Sequence, residues 1–324
     1  MKPSNVSYDV IGDIHGYAAK LEGLLQLMGY VPQGRSYRAP QGRQAVFLGD
    51  LIDRGPEQMR VLEIVRGMVE SGDALCIVGN HEFNAIAYAT EDPWNPGERL
   101  RVNRKDSKKA VKNREQHAEF LAQVGEDSAA HKAWVDWFRT LPAFLDLGGI
   151  RVVHGCWDSA AVAALEEAGW AGDKPMSDEL LCRLTGAKPG QADSQAVWAR
   201  KLLTCGLEKP LPEGRFILDK SGHKHYEVRL ANWRHKAKTL AEIALVPAGQ
   251  EVQLQGMPWP EGLVLSPIEG APIFVGHHWF SGDPKVESEK LACLDWSAAR
   301  NGPLVGYRWD GESELSNDKL VWSH

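Results

Sequence analysis

The chain has 324 residues and a mass of 35.8 kDa, which is enough for one large α/β domain. Its 43% hydrophobic and 25% charged residues are typical of a folded globular protein and exclude a disordered, collagen-like or coiled-coil chain. The net charge of −6 argues against nucleic acid as the main partner. We therefore expect residues 1–324 to form a single domain.

The cysteines and the apolar runs indicate where such a protein would work. Five cysteines are scattered without a CxxC pair, which argues against a disulfide framework or a structural zinc site. Reduced thiols predict a cytoplasmic protein. No apolar run approaches the roughly 18 residues of a membrane span, and the first residues lack the apolar stretch of a signal peptide, so no membrane partner is expected.

Strand, loop and helix alternate three times in the first third of the chain. The predicted strands are residues 8–11, 45–48 and 75–78. Apolar residues at helical spacing follow the first strand as far as Gly29 and follow the second from Pro56 to about Gly72. This alternation predicts an α/β fold with a largely parallel sheet that is buried on both faces.

The rest of the chain is less regular. Residues 98–115 are rich in lysine and arginine, which favours a solvated helix face, with a phosphate-attracting surface as the alternative. A helix that contains Trp134 and Trp137 is predicted to end at Leu141 and Pro142. Further strands are predicted at 150–153, 273–275 and 291–294. Proline and glycine interrupt the segment between Arg200 and Gly276, which predicts an insertion or subdomain at 203–268.

Five predicted strands end in a residue that could bind a metal ion. These residues are Asp13 with His15, Asp50, Asn80, His154 and His277. Because strand ends converge on one crevice in α/β sheets, we expect the side chains to meet. Mixed oxygen and nitrogen donors suit manganese, iron or zinc better than calcium, and six ligands suit two ions that share a carboxylate. Singly, an aspartate could cap a helix and His154 could be a core histidine, but five glycine-flanked strand ends are difficult to explain that way.

Three motifs carry a family resemblance. They are Gly12-Asp13-Ile14-His15-Gly16, Gly49-Asp50-Leu51-Ile52-Asp53-Arg54-Gly55 and Gly79-Asn80-His81-Glu82. They resemble the signature motifs of the PPP-type metallophosphoesterases, in the calcineurin-like phosphoesterase superfamily. Val153-His154-Gly155 and Val275-Gly276-His277 are similar to its two later histidine motifs. The family includes bacterial and phage-type serine/threonine phosphatases and symmetrical diadenosine tetraphosphate hydrolases. The resemblance implies a metallophosphoesterase fold, with two packed central β-sheets flanked by helices and an insertion between Arg200 and Gly276.

The resemblance also implies a role for each matching residue. Asp13 and His15 would hold one metal ion, Asp50 would bridge, and Asn80, His154 and His277 would hold the other. Arg54 would bind the substrate phosphate, while His81 would protonate the leaving oxygen and Asp53 would orient His81. Trp198-Ala199-Arg200 is similar to the Trp-x-Arg of phage-type phosphatases, so Arg200 is a candidate second phosphate ligand, with an ordinary surface arginine as the alternative. His278 is the alternative to His277 as the last ligand.

Three functions remain open at this point. The leading hypothesis is a phosphomonoesterase that uses a hydroxide activated by two divalent transition-metal ions, manganese first, with iron or zinc as alternatives. Its substrate would be a phosphoprotein, a nucleotide or a small phosphorylated metabolite. The second hypothesis is a nucleotide pyrophosphohydrolase for dinucleoside polyphosphates, with Trp157 or Trp279 stacking on a purine. The third is an inactive binding protein, against which the complete ligand set argues.

The insertion carries its own prediction. Residues 219–238 are basic, with Lys220, Lys224 and Arg229 among them, and the segment leaves and returns close to the motif residues. A loop at the rim of a site can set specificity, so we expect it to form a wall of the substrate site and to favour anionic leaving groups. The alternative is a solvated excursion that points away.

Overall fold

The computed structural model describes residues 7–172, 174–187, 193–218, 224–246 and 249–324. Its strands are β1 (Ser7–Ile11), β2 (Val31–Gln33), β3 (Ser36–Arg38), β4 (Arg43–Phe47), β5 (Ala74–Cys76), β6 (Phe144–Asp146), β7 (Arg151–Val153), β8 (Leu207–Pro210), β9 (Ile217–Leu218), β10 (Lys224–His225), β11 (Glu227–Leu230), β12 (Ile273–Val275), β13 (Leu291–Cys293), β14 (Leu304–Trp309) and β15 (Leu320–Ser323).

The helices flank these strands. They are α1 (Ala18–Leu27), α2 (Gln58–Ser71), α3 (Asn80–Ala89), α4 (Lys108–Gln116), α5 (Ala118–Val124), α6 (Ala129–Phe138), α7 (Ser159–Ala168), α8 (Asp178–Thr185), α9 (Ser194–Cys205) and α10 (Leu240–Ile243). Short 3₁₀ turns occur at Glu251–Leu254, Ala298–Arg300 and Asn317–Lys319. No described helix is both long and apolar enough to cross a membrane.

Two mixed sheets form the centre of the protein. The first has the order β15-β14-β1-β4-β5, and the second has the order β13-β12-β7-β6. Strands β1, β4 and β5 are parallel, as are β13, β12 and β7. The expected α/β fold with two sheets is therefore confirmed. The expectation of a largely parallel sheet is wrong for three strands, because β14, β15 and β6 run antiparallel to their neighbours.

The two sheets pack against each other through a shared apolar core. Phe274 of the second sheet and Tyr307 of the first have ring centroids 5.1 Å apart, and Val10 and Val46 join the same buried cluster. The helices cover the outer faces and contribute to a second, larger cluster. Gly72 caps the C-terminus of helix α2 with a left-handed φ of 81°, which glycine adopts without steric cost.

The basic segment 98–115 is only partly helical. Its first half is a loop held by the buried carboxylate of Glu98, which accepts main-chain N–H groups of Arg99, Asn103, Arg104 and Lys105 at 2.9–3.2 Å. Helix α4 begins only at Lys108, where the Ser107 hydroxyl accepts the Ala110 N–H. A helix over the whole segment would leave Glu98 buried without these donors.

The segment between β8 and Met257 has a small apolar core of its own. Leu211, Val228, Leu230, Leu240 and Leu254 form a third cluster, with β8 paired to β11 and β9 paired to β10. This cluster agrees with a compact insertion, and the proposed bounds 203–268 stay a prediction. Lys220 lies outside the described residues.

Candidate functional site

The predicted ligands lie just after strands of both sheets, on turns or, for Asn80, at the start of α3. Asp13 follows β1, Asp50 follows β4, Asn80 follows β5, and His154 and His277 follow β7 and β12. These turns approach each other so closely that glycine is required between them. A Cβ atom on Gly49, whose φ is +87°, would lie 2.2 Å from the Gly79 nitrogen, and one on Gly276 would lie 2.1 Å from Asp13 Oδ1.

Three of the predicted ligands have left-handed backbones. The φ angles are 49° at His15, 49° at Asp50 and 68° at His277, a region that residues with side chains rarely occupy. Such strain persists only where the surrounding structure imposes it, and it concentrates at functional sites. The fold therefore accepts a conformational cost in order to aim these side chains at one point.

Asp50 lies at the centre of the arrangement. Its Oδ2 atom is 3.3 Å from Nε2 of His154, 3.6 Å from Nε2 of His15 and 3.9 Å from Nε2 of His81. Two trios of donors, within 4.8 Å of one another in each trio, share this carboxylate: His15, Asp50 and His81, and Asp50, His154 and His277. All of these side chains are buried. One carboxylate between two groups of imidazoles can serve two cations.

Hydrogen bonds fix which nitrogen of each histidine faces the centre. Nδ1 of His15 donates to the Ile52 carbonyl at 2.9 Å, and Nδ1 of His154 donates to the Leu48 carbonyl at 2.7 Å. Nε2 of each ring thus faces Asp50, as in metal-binding histidines. His15 Nε2, both ring nitrogens of His277 and Asp13 Oδ1 are buried without a hydrogen-bond partner. Buried nitrogen and oxygen atoms without a hydrogen-bond partner are suited to bind a cation as its ligands.

Asp13 and Asn80 complete the predicted set. Asp13 Oδ2 accepts the main-chain N–H of His277 at 3.0 Å, which leaves Oδ1 available. The side-chain oxygen of Asn80 lies 3.1 Å from His154 Nε2. All six side chains named as metal ligands are therefore within one site, although their roles as ligands remain a prediction.

The charges of the site favour a cation. Burial lowers the pKa of His15 to about 4, with the neighbouring His81 acting in the same direction, and burial lowers the pKa of His277 well below its usual range. Both rings are thus neutral near pH 7. Burial also acts against a charged His154, yet Asp50 and Asp13 outweigh it and raise the pKa of that imidazole to about 10. The carboxylates of Asp50 and Asp13 therefore favour a positive charge next to them, on the imidazole or on a bound cation.

His81 belongs to a hydrogen-bonded chain that sequence reasoning found only in part. Its Nδ1 donates to Asp53 Oδ2 at 2.5 Å, and Nδ1 of the buried His117 lies 3.0 Å from the other oxygen of Asp53. Burial acts to lower the pKa of His81, but the carboxylates of Asp50 and Asp53 outweigh it and raise the pKa. A protonated His81 with Nε2 facing Asp50 can donate a proton at the centre of the site.

The two predicted arginines occupy different surroundings. The exposed guanidinium of Arg54 lies 4.5 Å from the ring centroid of Trp279, whose own centroid is 5.7 Å from that of His15. Arg200 is half-buried above the Phe83 ring, at 4.8 Å, and its Nε donates to the Leu184 carbonyl at 3.3 Å. Arg54 is thus close to His15, whereas Arg200 contacts Phe83 of α3, which directly follows the motif Gly79-Asn80-His81-Glu82.

His277 and His278 point in different directions. The ring of His278 packs against Trp233, with centroids 5.2 Å apart, and its Nε2 lies 3.3 Å from the Gly155 carbonyl oxygen. His277 joins Asp50, and its carbonyl accepts a hydrogen bond from Arg229 Nη1 at 3.0 Å. The choice of His277 over His278 thus agrees with the geometry. It also follows that Arg229 of the insertion touches the site through the main chain.

Several side chains of the site gave no usable signal in the sequence. Glu82 was part of a motif without an assigned role; its buried carboxylate accepts the N–H groups of Asp50, Leu51 and Gly79 at 2.8–2.9 Å and so joins two of the turns. His117 was missed because its partner, Asp53, is 64 residues away and no pattern connects them. Of the two tryptophans considered for purine stacking, Trp157 packs against Phe144 instead, with centroids 5.7 Å apart.

Known proteins resemble this chain in sequence. Residues 7–185 match the family model described as calcineurin-like phosphoesterase. The asymmetrical bis(5'-nucleosyl)-tetraphosphatase PrpE of Oceanobacillus iheyensis is 28% identical over 145 residues, which are 45% of this chain and 53% of that protein. The protein of the same name from Bacillus subtilis is 36% identical over 88 residues, 27% of this chain and 36% of that protein. The alignments thus span between about a third and a half of these relatives.

Among solved structures, a protein serine/threonine phosphatase from Saccharomyces cerevisiae aligns with a TM-score of 0.47 and 14% identity, over 98% of this chain and 79% of that chain.

Proposed function

The chain belongs to the calcineurin-like phosphoesterase family, and from this premise we propose that it hydrolyses phosphoester bonds with two divalent transition-metal ions. Manganese is the first candidate, with iron or zinc as alternatives, because the donors are imidazoles, carboxylates and an amide. Asp13 and His15 would hold one ion, Asn80, His154 and His277 would hold the other, and Asp50 would serve both. The substrate is a phosphorylated protein, nucleotide or small metabolite.

The shared position of Asp50 is the observation that supports this proposal. Its Oδ2 lies within 3.9 Å of three imidazole nitrogens that belong to two different trios. A purely structural carboxylate would be satisfied by one or two donors, and the surrounding unpartnered nitrogens would then be costly to bury. When bound, divalent ions supply positive charge against the transition state and lower the pKa of water.

The protein's own residues supply the remaining steps. Arg54 clamps the oxygens of the phosphoryl group by bidentate hydrogen bonds, and Arg200 is the candidate for a second such contact. His81 gives its proton to the leaving oxygen, while Asp53, held by His117 on its other side, keeps Nδ1 of His81 protonated and oriented. Because these donors are in place before the reaction, little reorganisation is needed in the transition state.

Two substrate classes remain in competition. A phosphomonoesterase needs only one phosphoryl position, which Arg54 and the ligand set provide. The alternative is a nucleotide pyrophosphohydrolase similar to bis(5'-nucleosyl)-tetraphosphatases, and the names of the relatives from Oceanobacillus iheyensis and Bacillus subtilis favour it. An inactive binding protein is the third candidate, and the presence of His81 with its Asp53 partner argues against it.

The decisive experiment is a screen of the manganese-loaded protein against phosphopeptides, nucleotides, dinucleoside polyphosphates and p-nitrophenyl phosphate, ranked by kcat/KM. We expect turnover of at least one class, and His81→Ala should lower kcat by about 10²–10⁴-fold with its metal content retained. The loss should be smaller for p-nitrophenyl phosphate, whose leaving group needs little protonation. A wild-type protein that is inactive with every class, whether loaded with manganese, iron or zinc, would contradict the proposal.

A further inference from the structure

A second arginine, Arg300, shares the indole of Trp279 with Arg54. The guanidinium of Arg300 lies 4.9 Å from the ring centroid and that of Arg54 lies 4.5 Å from it, so both are at cation–π distance. Trp279 in turn lies beside His15, with ring centroids 5.7 Å apart. Two positive groups are thus held on one aromatic ring at the edge of the site.

The turn that carries Arg300 is fixed from several sides. Nζ of Lys20 donates to the carbonyls of Ala298 and Gly302 at 2.9 and 2.7 Å, which closes the ends of the turn. The buried Asp295 accepts the main-chain N–H groups of Trp279 at 2.7 Å and of Ser297 at 3.1 Å, and so connects the main chain of Trp279 to the same turn. Arg300 therefore starts from a rigid base, and less entropy is lost when its side chain binds a ligand.

Among the residues that the structure describes, the two guanidinium groups have no ion-pair partner. Within the described residues, neither Arg54 nor Arg300 forms a side-chain hydrogen bond or an ion pair, although Arg43, Arg139 and Arg183 each do. Like charges that converge on one ring repel each other, and an anion between them would remove that repulsion and supply acceptors for their N–H groups. A single phosphoryl group engages Arg54, which leaves Arg300 for a second anionic group.

We propose that Arg300 is a specificity-determining residue that binds a second phosphate, or an equivalent anionic group, next to the phosphoryl group under attack. This inference rests on the proposed function, because it takes the position of the first phosphoryl group from the ligand set and Arg54. Trp279 acts as the platform that sets the spacing of the two guanidinium groups. Substrates with adjacent phosphates gain from Arg300, and simple monoesters do not.

Binding of two phosphonates tests the proposal without any turnover. Methylphosphonate carries one anionic group and methylenediphosphonate carries two, and neither has a phosphoester bond to hydrolyse. We expect Arg300→Gln to weaken methylenediphosphonate binding about tenfold, measured by calorimetry on the protein in a fixed excess of manganese, and to change methylphosphonate binding less than twofold. Arg300→Lys should recover part of the loss because it keeps the charge.

The control is Arg38→Gln, which removes an exposed arginine from β3. It should leave both affinities unchanged. Equal effects of Arg300→Gln on the two phosphonates, or no effect on either, would overturn the proposal, as would a wild-type protein that binds both ligands equally well. Because these titrations need no catalysis, they remain informative if the substrate screen finds no phosphoesterase activity.

Discussion

At the scale of single residues, the Asp50 carboxylate is shared by both proposed metal positions, so its loss should affect both. Asp50→Asn keeps the shape but replaces a charged oxygen by an amide. We expect the metal content measured by elemental analysis after dialysis to fall from two ions per chain to fewer than one. His277→Ala, by contrast, should remove mainly the ion held with His154.

Asp318→Asn is the matched control for that experiment, because it neutralises an exposed aspartate whose side-chain partner is Ser316. It should retain the full metal content. One ion per chain in fully active wild-type protein would contradict the binuclear site, and so would an Asp50→Asn variant that keeps both ions.

His117 gives a second prediction at this scale. Its Nδ1 lies 3.0 Å from Asp53 Oδ1, so His117→Leu should leave the orienting carboxylate free to turn away from His81. We expect kcat for an alkyl phosphate to fall about tenfold, as for other outer partners of a site, while p-nitrophenyl phosphate is less affected and the metal content is unchanged.

The control for His117 is another buried histidine nearby in the chain. His131 accepts the Asp127 N–H through Nδ1, at 3.1 Å, and has no contact with Asp53. His131→Gln should therefore leave the ratio of the two turnover rates as in the wild type. If His117→Leu lowers both rates by the same factor, its role is limited to packing.

The sequence predicted the residues of this site better than their connections. Asp13, Asp50 and His277 stand at strand ends next to glycine, and that local pattern was sufficient to place them together. The partners Glu82 and His117 act through contacts between distant segments, which no local period or spacing records. The same is true of Arg300, whose relation to Arg54 depends on how two turns approach Trp279.

At the scale of elements, the loop after Glu98 should depend on one carboxylate. Burial acts to raise the pKa of Glu98, but its main-chain N–H donors, foremost Asn103 and Arg104, lower it to about 2. This depressed pKa stabilises the fold above about pH 4.5, the value in the unfolded chain, and the contribution is lost as pH falls toward 2. Glu98→Gln should lower the free energy of unfolding at pH 7 by about 1–3 kcal/mol.

Urea denaturation between pH 7 and pH 2.5 would measure this effect. The difference between the wild type and Glu98→Gln should shrink as the pH falls below 4.5. Glu119→Gln, at an exposed position of α5, should differ from the wild type by less than about 0.5 kcal/mol at every pH. A difference that is constant with pH would show that the Glu98 charge is not what holds the loop.

Elements whose apolar residues follow a clear period were predicted well. Strand β12 has the predicted bounds, and α6 ends at Phe138, close before the predicted stop at Leu141 and Pro142. The charged segment 98–115 was misread because its composition suits a helix, whereas the buried Glu98 draws its main-chain donors into a loop. Strands β14 and β15 were not predicted, although Asn301-Gly302-Pro303 and Asp310-Gly311 mark turns on either side of β14.

At the scale of the whole molecule, the insertion reaches the site through Arg229. Its guanidinium connects the Glu208 carboxylate, at 3.2 Å, to the His277 carbonyl, at 3.0 Å. Arg229 therefore supports the proposed ligand His277, besides belonging to the basic segment that is expected to favour anionic leaving groups. Arg229→Leu should weaken metal binding at His277 by about tenfold, measured by competition with a chelator, and lower turnover of all substrates.

Arg215→Leu is the control, because Arg215 is an exposed arginine of the same segment. It should retain the metal affinity of the wild type. Lys224 stays a candidate for contact with anionic leaving groups; its Nζ lies 4.2 Å from the Phe216 ring centroid. Normal metal affinity in Arg229→Leu would mean that the insertion and the site are independent.

The pairing of β1 on both of its edges has a consequence for the rate of folding. One neighbour, β4, follows closely in the chain, but the other, β14, is reached only across almost the full length, as in the contact of Asp9 with Arg308, 299 residues apart. Closing so long a loop costs entropy before any contact compensates for it, and high contact order slows folding. Until β14 has been synthesised, one edge of β1 stays unpaired. An unpaired strand edge can pair with other chains. Strand β1 is therefore protected on both edges only late in synthesis, and the period of greatest risk of aggregation lasts until β14 is available for pairing.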